Sequence, residues 1–282
     1  YKDFELRNTT DQLKNGAIPA NADLETEIHR SVVGNMETQI FNALLSFNRN
    51  IPKTNFYRPH KSAISFRLNP EFFSDMDLPR LPFAVFFVMG AEFQGFHVRF
   101  ADVSRGGIRL IKSRDEQGYS KNVASQFQET FNLAFTQNLK NKDIPEFGSK
   151  GTVLLNPDCQ NQGLISFKRF VSSLLDILVI DPKAQPGDSN YVVNNYGKEE
   201  ILFLGPDEGT AGVMEWAALY AKKRGYSYWR AFTTGKPSAL GGIPHDTFGM
   251  TSTSVLRYVV GCVEKLGLKE DEYARIREIL GR

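Results

Sequence analysis

The run Phe83 to Met89 (FAVFFVM) is apolar at every position. A strand with no polar side has no face to give to water, so it reads as a central strand that needs a layer of structure above it and another below. The neighbouring segments offer the material. Ser62 to Leu68 alternates Ile64, Phe66 and Leu68 with Ala63, Ser65 and Arg67, and Phe93 to Phe100 alternates Phe96, Val98 and Phe100 with His97 and Arg99. Both patterns predict half-exposed strands beside the central one. From Asp115 to Leu139 the period changes, with Phe127, Phe131, Phe135 and Leu139 recurring every fourth residue, which predicts a long helix.

Beyond it, Thr152 to Leu155 reads as a short buried strand, Gly163 to Ile177 as a helix, Ile201 to Leu204 as another strand and Ala211 to Lys223 as a helix. A glycine-rich loop from Gly235 to Gly242 precedes a helix from about Thr251 to Leu266 and a charged terminal helix from Glu270 to Leu280. The fold class expected from this alternation is α/β, a three-layer domain around a mixed sheet, over residues 61–282. Residues 1–60 are expected to form a helical attachment. In it Leu24, Ile28, Val32, Met36, Ile40 and Leu44 recur every four positions and predict one helix with a buried stripe.

Of the 282 residues, 41% are hydrophobic and 23% charged, which excludes a disordered or collagen-like chain. The 34 basic and 32 acidic side chains are interspersed and leave a net charge of +2, so no broad field recommends nucleic acid or an anionic membrane as a partner. The longest apolar run, Leu81 to Gly90, is about half of what a bilayer span needs and contains a proline. Cys159 and Cys262 stand in no metal-like or redox-like spacing and are expected to be unpaired, half-buried or buried thiols of a reducing compartment. The chain opens on Tyr1 with no apolar leader, and it reads as processed or as a piece of a longer polypeptide.

Four motifs carry chemistry. In Arg105-Gly106-Gly107-Ile108-Arg109, two glycines let the backbone approach closely and turn, so that both arginines can address one anionic group; a surface turn with two solvated arginines is the competing reading. Gln137 and Lys140 share a face at the end of the long helix, where a lysine also suits the helix dipole alone. In Pro145-Glu146-Phe147-Gly148-Ser149-Lys150-Gly151 a lysine is packed among small residues before a buried strand, a costly place for an ammonium. Gly205-Pro206-Asp207-Glu208-Gly209-Thr210 sets an acidic pair on a tight turn, where a carboxylate can reach into a cleft or cap a helix. Together these give a cleft with up to four cations and one carboxylate, which suits a dicarboxylate. Crowded cations lower the pKa of Lys150, and a neutral lysine can serve as a general base while Asp207 passes a proton on nitrogen.

With these residues the chain resembles the large NAD-specific glutamate dehydrogenases of fungi and protists. The resemblance runs through Ser104–Arg109 (SRGGIR), Lys140–Gly151 (KNKDIPEFGSKG), Leu204–Gly209 (LGPDEG) and Thr234–Ser252 (TGKPSALGGIPHDTFGMTS), in the family's order over roughly Val98 to Val260. It implies oxidative deamination of L-glutamate to 2-oxoglutarate and ammonia with NAD. Lys150 matches the lysine that activates water for attack on the iminium, and Asp207 the aspartate that shuttles a proton to and from the amino group. Lys140, or Lys142 in its place, with Gln137 beside it, matches the α-carboxylate site. Arg105 matches the cation for the side-chain carboxylate, and Thr251 a threonine near the nicotinamide amide. Phe147 stands where the family carries glycine, so its ring either narrows the cleft or turns aside.

The resemblance further implies a homo-oligomer, and mitochondrion or cytoplasm would both suit two free cysteines. No G-x-G-x-x-G occurs in the chain, so the expectation is that NAD is bound mainly by a domain beyond it. The alternative to an enzyme is a non-catalytic homologue kept for assembly or for sensing a metabolite.

Overall fold

The computed structural model describes residues 21–140, 146–243 and 247–267. The expected helix Glu270–Leu280, Lys142 and Pro145 lie outside the described residues. By contacts the chain divides into two compact units, 1–234 and 235–282.

In the first unit the elements follow in order: α1 (Asn21–Ser31), α2 (Asn35–Arg49), β1 (Lys53–Thr54), β2 (Ile64–Leu68), β3 (Ala84–Met89), β4 (Phe93–Arg99), β5 (Ser104–Arg105) and β6 (Gly107–Ile111). Then come α3 (Glu116–Asn138), β7 (Phe147–Leu155), α4 (Gly163–Leu178), β8 (Val193–Asn194), β9 (Gly205–Pro206) and α5 (Met214–Lys223). The strands form one mixed sheet in the order β8-β1-β2-β3-β4-β7-β6-β9, with β5 also on β7. From β8 to β7 the pairing is antiparallel, whereas β5, β6 and β9 run parallel to their neighbours. The second unit contains α6 (Met250–Lys265).

Both faces of the sheet are covered, as the apolar strand required. On one face α3 lays Phe127, Phe131, Ala134 and Phe135 against Phe66, Phe73, Val98 and Phe100. The helix starts where Asp115 accepts a hydrogen bond from the Gly118 amide at 2.7 Å, satisfying one of the orphan donors of the first turn. On the other face α4 and α5 bury Phe167, Phe170, Leu174, Met214 and Ala217 against Phe86, Val88, Val153 and Leu155. Gly95 makes room there, since a Cβ on it would stand 2.7 Å from the Phe170 ring.

Several elements differ from the sequence expectation. The helix from Asp23 to Phe47 is two helices, broken at Gly34, whose extended backbone precedes α2. Its stripe is not buried: Met36, Ile40 and Leu44 are exposed, whereas Leu45 is buried and Phe47 packs on the core. The segment Ile201–Leu204 forms no ladder beyond a single bridge from Leu204 to Thr233, because Leu202 and Leu204 are buried by side-chain packing instead. Cys262 is exposed rather than half-buried, and Cys159 is half-buried; both are free thiols. Among the described residues no helix is long and apolar enough to cross a membrane.

The polar positions of β2 and β4 are not solvated either. Ser65, Arg67, His97 and Arg99 are all buried on the α4 face. Charge is accommodated there by Glu200, which accepts from Arg67 Nε at 2.8 Å and pairs with Lys53 Nζ at 3.0 Å. Arg67 also lies over the Tyr196 ring, 3.8 Å from its centroid. His97 has its pKa pushed down to about 3, by burial first and then by Arg99.

Candidate active site

The four motifs meet at the parallel end of the sheet. Lys150 sits within β7, not in a loop before it, and its register partner is Val98 on β4. Side chains alternate along a strand, so Gly148, Lys150 and Thr152 face α3 while Phe147, Ser149 and Gly151 face the other way. Arg109 on β6 lies opposite Thr152 and therefore shares the Lys150 face. The next parallel strand, β9, ends at Pro206, opposite Ile108, and delivers Asp207 to the same edge. Lys150 Nζ meets Asp207 Oδ2 directly; the lysine side chain is 7% exposed and that of the aspartate 21%.

The glycine pair explains the closeness. Neither Gly106 nor Gly107 takes a positive φ, and the motif is extended in β5 and β6 rather than turning sharply in a loop. What the glycines supply is room. A Cβ on Gly106 would fall 1.5 Å from the Ser149 carbonyl oxygen, and one on Gly107 would stand 3.0 Å from the Asp207 side chain. Gly106→Ala is thus expected to force β5 and β6 off β7 and destabilise the fold by more than about 2 kcal/mol. A thermal melt within about 1 °C of the native chain would contradict this. On the α3 side Gly148 does the same, since a Cβ there would be 2.2 Å from the Ala134 carbonyl oxygen and 2.5 Å from Gln137 Cβ.

Two arginines that were expected to address one anion part company. Arg105 lies beside Gly148 and Arg109 beside Thr152, four residues apart on β7 or roughly 13 Å along a strand. Arg105 pairs with Glu146 at 2.9 Å. Arg109 is ringed by carboxylates, Glu129 at 3.4 Å, Asp207 at 3.7 Å and Glu208 at 3.8 Å. A cavity of about 570 Å³ opens beside it, with Lys112, Glu129, Leu164, Glu208 and Gly209 in its wall.

Burial is the main force on Lys150. It holds the amine down to about 8, with Arg109 and then Lys140 adding to the effect and Glu129 opposing it. Crowded cations, the cause expected from sequence, rank second to desolvation. Lys140 is exposed, just past the α3 C-cap at Leu139, while Gln137 is half-buried against Gly148. Asp207 does not cap a helix: its Oδ1 accepts from the Glu208 amide at 2.8 Å, and its own amide donates to Thr210 Oγ1 at 2.9 Å. Phe147 points away from the Lys150 face, half-exposed, with Arg80 5.8 Å from its ring centroid, and so leaves that side of the cleft clear. Thr251 is exposed in the first turn of α6, in the second unit.

Sequence reasoning passed over the groups behind the pair. Thr152 Oγ1 lies 2.6 Å from Thr130 Oγ1 and accepts from Gln126 Nε2 at 3.2 Å, a buried polar link between β7 and α3. Gln126 and Thr130, four apart on a helix otherwise packed through phenylalanines, were the available signal. Glu146, four residues before Lys150 on the same strand line, was another.

Residues 24–270 match the model of the catalytic domain of bacterial NAD-glutamate dehydrogenase. The chain is 46% identical over 281 residues to glutamate dehydrogenase 2 of Dictyostelium discoideum, covering 98% of this chain and 26% of that protein. It is 45% identical over 259 residues to the NAD-specific glutamate dehydrogenase of Neurospora crassa, covering 92% and 24%. Against the NAD-specific glutamate dehydrogenase of Saccharomyces cerevisiae it is 48% identical over 232 residues, covering 81% and 21%. It thus spans about a quarter of the length of these relatives. The chain belongs to the NAD-glutamate dehydrogenase family, and the part of that family it matches is the catalytic domain.

Proposed function

We propose that this chain is the substrate-binding and proton-transferring part of a glutamate dehydrogenase that deaminates L-glutamate oxidatively to 2-oxoglutarate and ammonia. The observation that carries the reading is the direct contact of Lys150 with Asp207 in a half-closed site. A binding module needs cations for carboxylates but has no use for a buried amine paired with a carboxylate at the same place. A Phe147 ring that narrowed the cleft would favour the non-catalytic alternative, and that ring is turned from the Lys150 face.

In the proposed reaction, once hydride has left the α-carbon, the neutral Lys150 amine takes a proton from water as the water oxygen bonds to the iminium carbon and the C=N π bond breaks. Asp207 carries a proton to the nitrogen, the C–N bond breaks to release ammonia, and the added hydroxyl gives up its proton as it becomes the ketone oxygen. Lys140, with Gln137 beside it, holds the α-carboxylate, and Arg105 the side-chain carboxylate. Arg109, beside Asp207 and away from Arg105, serves the substrate site by holding that aspartate in place.

NAD, when bound, accepts hydride from the substrate α-carbon. The donor set of this chain fits that cofactor at one position: the exposed Thr251 hydroxyl both donates and accepts, as a partner of the carboxamide must. We propose that the rest of the dinucleotide is held mainly outside these residues.

The experiment is the pH profile of kcat/KM for glutamate in the enzyme that carries this chain. With the amine at about 8, only its neutral form is the base, so the rate is lost as pH falls below that value and levels above it. A rise of about tenfold from pH 7 to pH 9 is expected. A profile flat across that interval would remove Lys150 from the role.

A further inference from the structure

The cation proposed for the side-chain carboxylate already holds a carboxylate of this chain. Arg105 donates through Nε at 3.0 Å to Oε1 of Glu146, and its Nη2 lies 2.9 Å from the same oxygen. The glutamate side chain is 13% exposed and that of the arginine 34%, so the pair is partly screened from solvent. β5 places Arg105 beside Gly148, two residues after Glu146, which immediately precedes β7, and two before Lys150. A guanidinium offers its donors as a planar fork, and one edge of this fork is committed to Glu146.

We infer that Glu146 is a specificity-determining residue, an internal carboxylate that competes with the side-chain carboxylate of the substrate for Arg105. This rests on the reading of Arg105 given above. A diacid entering the site exchanges one carboxylate for another at Arg105, so its gain there is a difference between two similar pairings. A substrate with a single carboxylate leaves the Arg105–Glu146 pair in place and gains nothing from it. Glu146 therefore sets how tightly the diacid binds without touching the α-carboxylate end.

The test is calorimetric binding of glutarate, and of pentanoate as its one-carboxylate counterpart, to the full 282-residue chain. The native chain is compared with Glu146→Gln, Arg105→Gln and the double variant. A partly exposed ion pair shifts an equilibrium by up to about fivefold. Glu146→Gln is expected to tighten glutarate about threefold and leave pentanoate unchanged, Arg105→Gln to weaken glutarate, and the double variant to bind no better than Arg105→Gln. If Arg105→Gln weakens glutarate while Glu146→Gln leaves it unchanged or weaker, this inference fails and the reading of Arg105 stands. If both acids tighten equally, the effect is a general change of charge and the inference also fails. Glutarate binding indifferent to Arg105→Gln overturns the reading of Arg105 itself, and the inference with it.

Discussion

Lys150→Ala is expected to lower turnover of L-glutamate about a thousandfold while leaving KM within about threefold. In the proposed roles the amine acts on water in the transition state, whereas Arg105 and Lys140 would hold the substrate's two charged ends. Lys150→Arg separates this from a purely electrostatic role. Arginine keeps the positive charge beside Asp207 but does not deprotonate at working pH, so it is expected to be nearly as inactive as alanine. Turnover above about a tenth of the native rate in Lys150→Arg would show that charge, and not base catalysis, is what position 150 contributes.

The second large effect is on stability and arises on the opposite face of the sheet. Glu200 accepts from Arg67 and pairs with Lys53, and all three side chains are at most 2% exposed. Glu200→Gln leaves two cations without a counter-charge in the interior, a change that costs about 3–5 kcal/mol in comparable settings. For a chain of this size that is a fall of roughly 5–8 °C in melting temperature. Adding Lys53→Met and Arg67→Met is expected to recover most of the loss, because the cost lies in the uncompensated charges and not in missing attraction. A single variant melting within about 2 °C of the native chain would contradict the assignment.

Much of the architecture was legible in the sequence where burial and periodicity agree. The apolar run at Phe83–Met89 does become a covered strand, and the every-fourth phenylalanines of α3 do pack on the sheet. Legibility failed where a polar residue is buried with a distant partner. Arg67 and Glu200 are 133 residues apart, so alternation alone placed Arg67 on the solvent side. It failed again at Gly106 and Gly107, whose small size serves contact between strands rather than a turn. The meeting of Lys150 and Asp207 was read from the complementary chemistry of two motifs and from resemblance, since no local pattern joins residues 57 apart. Glu146 stood in a quoted motif, but only the ladder to β5 reveals that it reaches Arg105.

The position of Lys150 inside a ladder, rather than on a loop, fixes the backbone that carries the proposed base. In the proposed reaction, adjustments would then come from the lysine stem, the turn bearing Asp207 or the substrate. Parity guards the site as well: one residue inserted between Gly148 and Lys150 would send the amine through to the α4 side, among Phe170 and its neighbours. A change of length in β7 should thus be tolerated less well than most changes of side chain along it.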